Sequence, residues 1–194
     1  MKKALLVLDA QKIYTDKESE MYCEGADATI DNINKLIDLM NDKNGLVVYI
    51  RHMHKVDGSD LGRLFDFEGE AEDDFNFKEG SVEVEYDEKL KRPANAVEVI
   101  KNRYSAFIGT DLNNILNQNG INKVIICGFM TNFCCESTAR QALDSDFYVD
   151  FVLDATGTPG TEEFDQDEVK KVVAELLSSG FARVLETNDV LADK

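Results

Sequence analysis

The sequence predicts an α/β fold, a three-layer αβα sandwich around a central, mainly parallel sheet of six strands. Two observations predict it. Short apolar runs, suited to strands buried on both faces, alternate with longer segments whose apolar residues recur at helical spacing. Glycines mark the joints, and strand–helix alternation with tight connections is the pattern of a parallel sheet covered on both sides.

Ala4–Leu8 is the first such run. Ile30, Ile33, Leu36, Ile37 and Met40 then form one helix face, closed by Gly45. Leu46–Ile50 and Ala96–Ile100 read as the second and third strands. Leu112, Ile115 and Leu116 mark a short helix, with Thr110 or Asp111 as caps and Gly120 as its stop. Val124–Cys127 is a fourth strand, Cys134–Leu143 has helical composition, and Val149–Leu153 is a fifth strand. Val169, Val172, Val173, Leu176 and Leu177 give a last helix face, ended by Gly180, before a sixth strand at Phe181–Leu185. The 194 residues read as a single domain, 1–194, with no internal repeat or linker and prolines only at 93 and 159.

Composition removes several partner classes. Lys and Arg total 21 against 38 Asp and Glu, a formal net charge of −17, which repels phosphate backbones and anionic membranes. No nucleic acid or membrane partner is expected, and no apolar run approaches the ~20 residues of a membrane span. The start, Met1–Asp9, is basic and then apolar like a signal peptide, but its apolar run ends in a carboxylate without a small-residue cleavage site. A cytoplasmic location is therefore expected, with the four cysteines (23, 127, 134, 135) reduced. No glycine-rich phosphate loop is present, so no cofactor is expected; Gly157–Gly160 reads as a turn.

Parallel sheets place their sites at the carboxyl ends of strands. Here those ends carry Asp9, Arg51–His54, Lys101 and the stretch Gly128–Cys134. Cys134 opens a helix, whose unpaired N–H groups and dipole favour a thiolate over the free thiol's pKa of ~8.5. The same turn's amides could hold an oxyanion. Each residue has a plainer reading: Cys134 as a buried structural thiol, Asp9 as a cap, Lys101 as a solvated strand end. Together they match the nucleophile, base and cation of acyl transfer. Cys127 reads as strand core.

Three ordered motifs sharpen this. Leu6–Gln11 with Tyr14, Lys101–Phe107 continuing to Leu112, and Gly128–Arg140 resemble the opening strand, lysine segment and nucleophile turn of the isochorismatase-like cysteine hydrolases. That superfamily includes nicotinamidases, N-carbamoylsarcosine amidases and isochorismatases. The resemblance covers most of the chain, and only residues 55–95 align loosely. It implies a Rossmann-like fold and a hydrolase that cleaves a C–N bond of a small amide or carbamoyl substrate through a thioester. Cys134 would be the nucleophile, Asp9 the proton carrier and Lys101 the orienting cation. Met130 and Cys134 amides would form the oxyanion hole, with a cis peptide between Phe129 and Met130; Tyr14, Phe129 and Met130 would border the substrate. Homo-oligomerisation is implied by resemblance alone.

Departures from the pattern matter as well. Nicotinamidases of the superfamily bind a divalent metal through an aspartate and histidines after strand two, where this chain has Arg51-His52-Met53-His54 and its only two histidines. No metal is therefore expected, and His54 is read as shaping the pocket or hydrogen-bonding the residues that line it. Cys135 replaces a common valine. Alternatives remain: a vinyl-ether hydrolase of the isochorismatase type, or a catalytically silent scaffold. Residues 66–88 hold eleven acids and one lysine, interleaved with Phe67, Phe75 and Phe77 and preceded by Phe65. That segment is either a solvated excursion or a lid or oligomer contact.

Overall fold

The computed structural model describes residues 1–66, 68–69 and 74–193. Six parallel strands form one sheet: β1 (Lys3–Leu8), β2 (Leu46–His52), β3 (Val97–Lys101), β4 (Lys123–Phe129), β5 (Tyr148–Gly157) and β6 (Arg183–Leu185). Their spatial order is β3-β2-β1-β4-β5-β6. The chain thus winds outward from β1 in one direction, then returns to β4 and winds in the other. β1 and β4 flank the point where the winding reverses, which is where open α/β sheets form their crevice.

Helices cover both faces. α1 (Lys12–Thr15), α2 (Ala26–Asp42), α3 (Leu112–Gln118), α4 (Glu136–Asp144), α5 (Gln166–Ser178) and α6 (Thr187–Ala192) follow in chain order. On one side Ile30, Ile33 and Ile37 of α2 and Val190 of α6 pack on Leu5, Val7, Ile125 and Val152. On the other, Leu112 and Leu116 of α3, Ala139 of α4, and Val173 and Leu177 of α5 pack on Leu6, Leu8, Val124, Ile126 and Phe151. Alternate residues of β1 and β4 are thus buried on opposite faces, as the unbroken apolar runs require.

The expected strands are all present, with shifted ends. β5 runs to Gly157 rather than stopping at Leu153, because a register shift against β4 between Ile126 and Gly128 re-engages it at Thr156. The helix expected from Cys134 begins as a π-helical turn, Thr131–Cys135, that leads into α4. α1 and α6 were not expected; four and six residues are too short to display a period. No helix among the described residues is long and apolar enough to cross a membrane.

Candidate active site

Asp9 follows the last residue of β1 in the left-handed region, at φ 47°, which aspartate tolerates better than most side chains. Its N–H donates to the Ile50 carbonyl (2.9 Å), and its own carbonyl accepts from Gln11 N (2.7 Å). Asp9 caps no helix: Gln11 precedes α1, and no side-chain cap bond is made there. Lys101 ends β3, directly opposite His52 on β2. Cys134 lies in the turn after β4, where the amides of Phe133 and Cys135 both donate to the Met130 carbonyl (3.2 and 3.1 Å). The Phe129–Met130 peptide that enters this turn is cis.

Gly128 is what lets β1 and β4 approach so closely there. It pairs with Leu8 and has φ 120°. A Cβ at this position would overlap the Leu8 carbonyl, so only glycine fits.

These strand ends bring Asp9, Lys101 and Cys134 together. The Lys101 ammonium stands 2.9 Å from Asp9 Oδ2 and donates to Cys134 Sγ at 3.2 Å and to the Arg103 carbonyl at 3.0 Å. All three residues are at most 1% exposed. Buried charge is costly unless it is paired, and Asp9 and Lys101 pair with each other here, although neither Asp9 oxygen has a hydrogen-bond partner among the described residues. Burial raises the Asp9 pKa, opposed by the Lys101 charge. Burial works against the Lys101 charge, yet Asp9 and Cys134 outweigh it and its pKa stands above the usual value.

The thiol's surroundings add a factor that the sequence does not display. Burial pushes Cys134 up to about 12, against the pull of Lys101. Burial thus opposes the turn's dipole, and Cys134 shares with Asp9 the cation that would favour its thiolate. Proton transfer from the thiol to Asp9, by contrast, leaves the net charge of the buried group unchanged, so low polarity does not oppose it as it opposes ionisation to solvent.

A second buried cluster adjoins the first. A ring nitrogen of His52, an Asp9 oxygen and Cys134 Sγ all lie within 4.8 Å of one another. His52 and His54 meet through their Nε2 atoms at 3.0 Å, and Asp60 Oδ1 lies 3.5 Å from His54 Nδ1. Burial, then the Lys101 charge, hold His52 well below its ordinary pKa. Burial also lowers that of His54, against the pull of Asp60. Gln11, which sequence reasoning quoted without a role, clamps His52 from both sides: its Oε1 accepts from His52 N (2.8 Å) and its Nε2 donates to His52 O (3.0 Å). A glutamine two residues after a strand-end carboxylate, between Ala10 and Ile13, was the available signal.

The acidic excursion covers this cluster. Phe77 stacks on His52, with ring centroids 4.3 Å apart, and Phe65 and Phe75 meet His54 edge-on at 5.9 and 6.2 Å. Backbone bonds fasten it there, from His54 N to Phe77 O and from Glu79 N to His54 O, both 2.8 Å. Phe65, Phe75 and Phe77 thus pack toward the imidazoles, while Glu68, Asp74, Glu79, Glu85 and Glu88 are exposed and Asp66, Glu83 and Asp87 are half-buried; Phe67 lies outside the described residues. Tyr14 is buried between Phe77 and Phe129, stacked on the latter at 5.7 Å, and burial together with Cys134 and Asp9 raises its pKa. Phe129 is wholly buried beneath Tyr14, while Met130 leads into the thiol's turn.

At the place where nicotinamidases hold a metal, this chain brings together two imidazole nitrogens with no carboxylate oxygen beside them among the described residues. The two imidazole Nε2 atoms bond to each other. The nearby carboxylate, Asp60, sits at the far nitrogen of His54. The remaining donors, Asp9 and Cys134, already face the Lys101 ammonium, and a further cation there would be repelled.

Comparisons with known proteins agree with the motifs. A solved cysteine hydrolase from Pseudomonas syringae pv. phaseolicola 1448A superposes with a TM-score of 0.90 at 26% identity, covering 98% of this chain and 91% of that one. Nicotinamidase 3 of Arabidopsis thaliana is 31% identical over 94% of this chain and 84% of its own length. The isochorismatase family protein YrdC of Bacillus subtilis (strain 168) is 30% identical over 99% and 96%. The fold is that of the isochorismatase-like cysteine hydrolases. With the isochorismatase domain matching residues 3–189, the chain belongs to the isochorismatase family and is a hydrolase.

Proposed function

We propose that this hydrolase cleaves a C–N bond of a small amide or carbamoyl compound through a thioester on Cys134. The observation that carries the reading is the buried contact of Lys101 with both Asp9 and Cys134. The names of a nicotinamidase and of a cysteine hydrolase among its relatives support the same chemistry.

In the first half-reaction Asp9 takes the thiol proton as Sγ attacks the carbonyl carbon. Amides of Met130 and Cys134 hold the oxygen that becomes negative. The C–N bond breaks as Asp9 returns the proton to the leaving amine. In the second half-reaction water attacks the thioester and gives its proton to Asp9, the C–S bond breaks, and the thiol recovers that proton. Lys101 stays charged throughout and offsets whichever of Asp9 and Cys134 is anionic.

The test is ammonia release from nicotinamide, pyrazinamide, N-carbamoylsarcosine and biuret by wild type and Cys134→Ala, with and without a chelator. Turnover abolished by Cys134→Ala and indifferent to chelator is the expected result. Full turnover by Cys134→Ala would overturn the thioester and favour direct hydration, as in vinyl-ether cleavage.

A further inference from the structure

The thiol chemistry leaves one adjoining group without a task. His52 is 2% exposed and His54 1%, and the order of protons along this pair follows from its ends. Asp60 accepts from Lys55 N (3.0 Å) and Asn102 Nδ2 (3.3 Å). It keeps its charge despite partial burial because these bonds and His54 favour the carboxylate. A carboxylate 3.5 Å from His54 Nδ1 favours the proton on that nitrogen. His54 Nε2 is then a lone pair, and His52 Nε2–H donates to it across 3.0 Å. A neutral imidazole carries one N–H, so His52 Nδ1 is left as a bare acceptor. It is buried and, like His54 Nδ1 and both Asp9 oxygens, has no hydrogen-bond partner among the described residues; the Asp60 contact to His54 is an ion-pair approach at 3.5 Å and not a hydrogen bond.

Nothing about this ring is loose. Gln11 holds the backbone of His52 on both sides, and Phe77 holds the face of the ring. A rigid, buried acceptor with no donor is costly unless a ligand supplies one.

We infer that His52 is a substrate-positioning residue whose free ring nitrogen accepts a hydrogen bond from a substrate N–H, which selects ureido compounds, R–NH–CO–NH2, over plain carboxamides. The inference rests on the C–N hydrolase reading above. A carbonyl carbon under attack has three substituents. The oxygen goes to the turn amides and the leaving nitrogen to Asp9. The third substituent remains for the polar group beside them, and an acceptor there calls for an N–H.

N-carbamoylglycine and N-carbamoylsarcosine differ only in that a methyl replaces the hydrogen of this N–H, and they are the probes. Binding is measured by calorimetry on Cys134→Ala, which cannot form a thioester, alone and combined with His52→Asn or His52→Leu. The parent is expected to bind N-carbamoylglycine at least ~10-fold more tightly, a difference of ~1.4 kcal/mol. His52→Asn keeps part of that preference through its amide oxygen, and His52→Leu brings the two ligands within about twofold, as one lost hydrogen bond requires. A preference that survives in His52→Leu would be steric and would overturn the inference. So would equal binding, or no binding, by the parent. Should the leucine variant not fold, as judged by its melting transition, Asp60→Asn stands in. Removing the carboxylate that orders the protons should shrink the preference severalfold, and an unchanged preference counts against the inference.

Wild-type turnover of the same two compounds separates the two readings. A preference carried in KM rather than kcat supports both. Ammonia from both compounds at equal KM sinks the role of His52 and leaves the hydrolase. Binding discrimination without ammonia sinks the hydrolase reading for this class and leaves His52 as the selector.

Discussion

Replacing Lys101 by methionine removes a buried cation and keeps most of its stem. The ammonium stands 2.9 Å from Asp9 Oδ2 with both side chains fully buried. At an effective dielectric constant of ~20 that attraction is roughly 6 kcal/mol, and desolvating the two ions takes back several kcal/mol of it. Removing one partner strands the other charge, which costs ~3–5 kcal/mol at neutral pH. The pH dependence has a definite sign. Burial already raises the Asp9 pKa and Lys101 opposes it, so in the variant it rises further. A carboxyl whose pKa is higher in the folded chain than its unfolded value of ~3.9 favours folding below that value, and the advantage is lost as pH rises through the folded pKa. Lys101→Met should therefore lose most stability at neutral pH and approach wild type near pH ~4. Urea unfolding of wild type, Lys101→Met, Asp9→Asn and the double variant, followed by circular dichroism across that range, measures it. The double variant should be more stable than the two single losses predict by at least ~2 kcal/mol. A loss independent of pH, or strictly additive losses, would show that the ion pair does not hold the site.

Three further outcomes are expected. Asp9→Asn should lower kcat by ~10²–10⁴ with little change in KM, since it removes the proton acceptor and keeps the shape; steady-state kinetics on any substrate found in the ammonia panel decides it. Gly128→Ala should cost at least ~3 kcal/mol or prevent folding, because the new methyl meets the Leu8 backbone in a conformation that alanine disfavours; its melting transition against wild type is the measurement. In the pH profile, kcat/KM should climb through the raised Asp9 pKa and hold into the alkaline range, because Lys101 also stands above its ordinary value. A rising limb near the free thiol's ~8.5 would instead mean that a preformed thiolate does the work.

The strands, and the strand ends that matter, were legible because buried parallel strands write themselves as apolar runs, and the residue after each run is automatically at the sheet edge. The three motif residues were found that way, and the structure places them in contact. Long-range partnerships left no such trace. The charge state of Cys134 depends on complete burial, which no local pattern displays. His52 and His54 were visible, but their tip-to-tip meeting and the anchoring by Asp60 require the chain between 55 and 80 to fold back on β2. That segment left two readings open, a solvated excursion from its acids and a lid or contact from its interleaved phenylalanines, and Phe65, Phe75 and Phe77 turn toward the imidazoles. The phenylalanines were legible as a contact, but composition does not say which surface they cover.

The strand order also explains why these residue types stand where they do. Asp9 and Cys134 come from the neighbours β1 and β4, so short side chains suffice once Gly128 lets the backbones close. Lys101 comes from β3, two strands from β1 across β2. At ~4.8 Å per strand the gap is about 10 Å, which needs a long side chain with one charge at its tip. That reach carries the ammonium past His52, its direct neighbour on the intervening strand. A charged imidazole there would face the lysine in a buried site. The position on β2 must therefore be held by a neutral group, and burial and the Lys101 charge keep His52 neutral. The cation that stabilises the thiol and carboxylate thus also forces the adjoining position to act by hydrogen bonding rather than by charge.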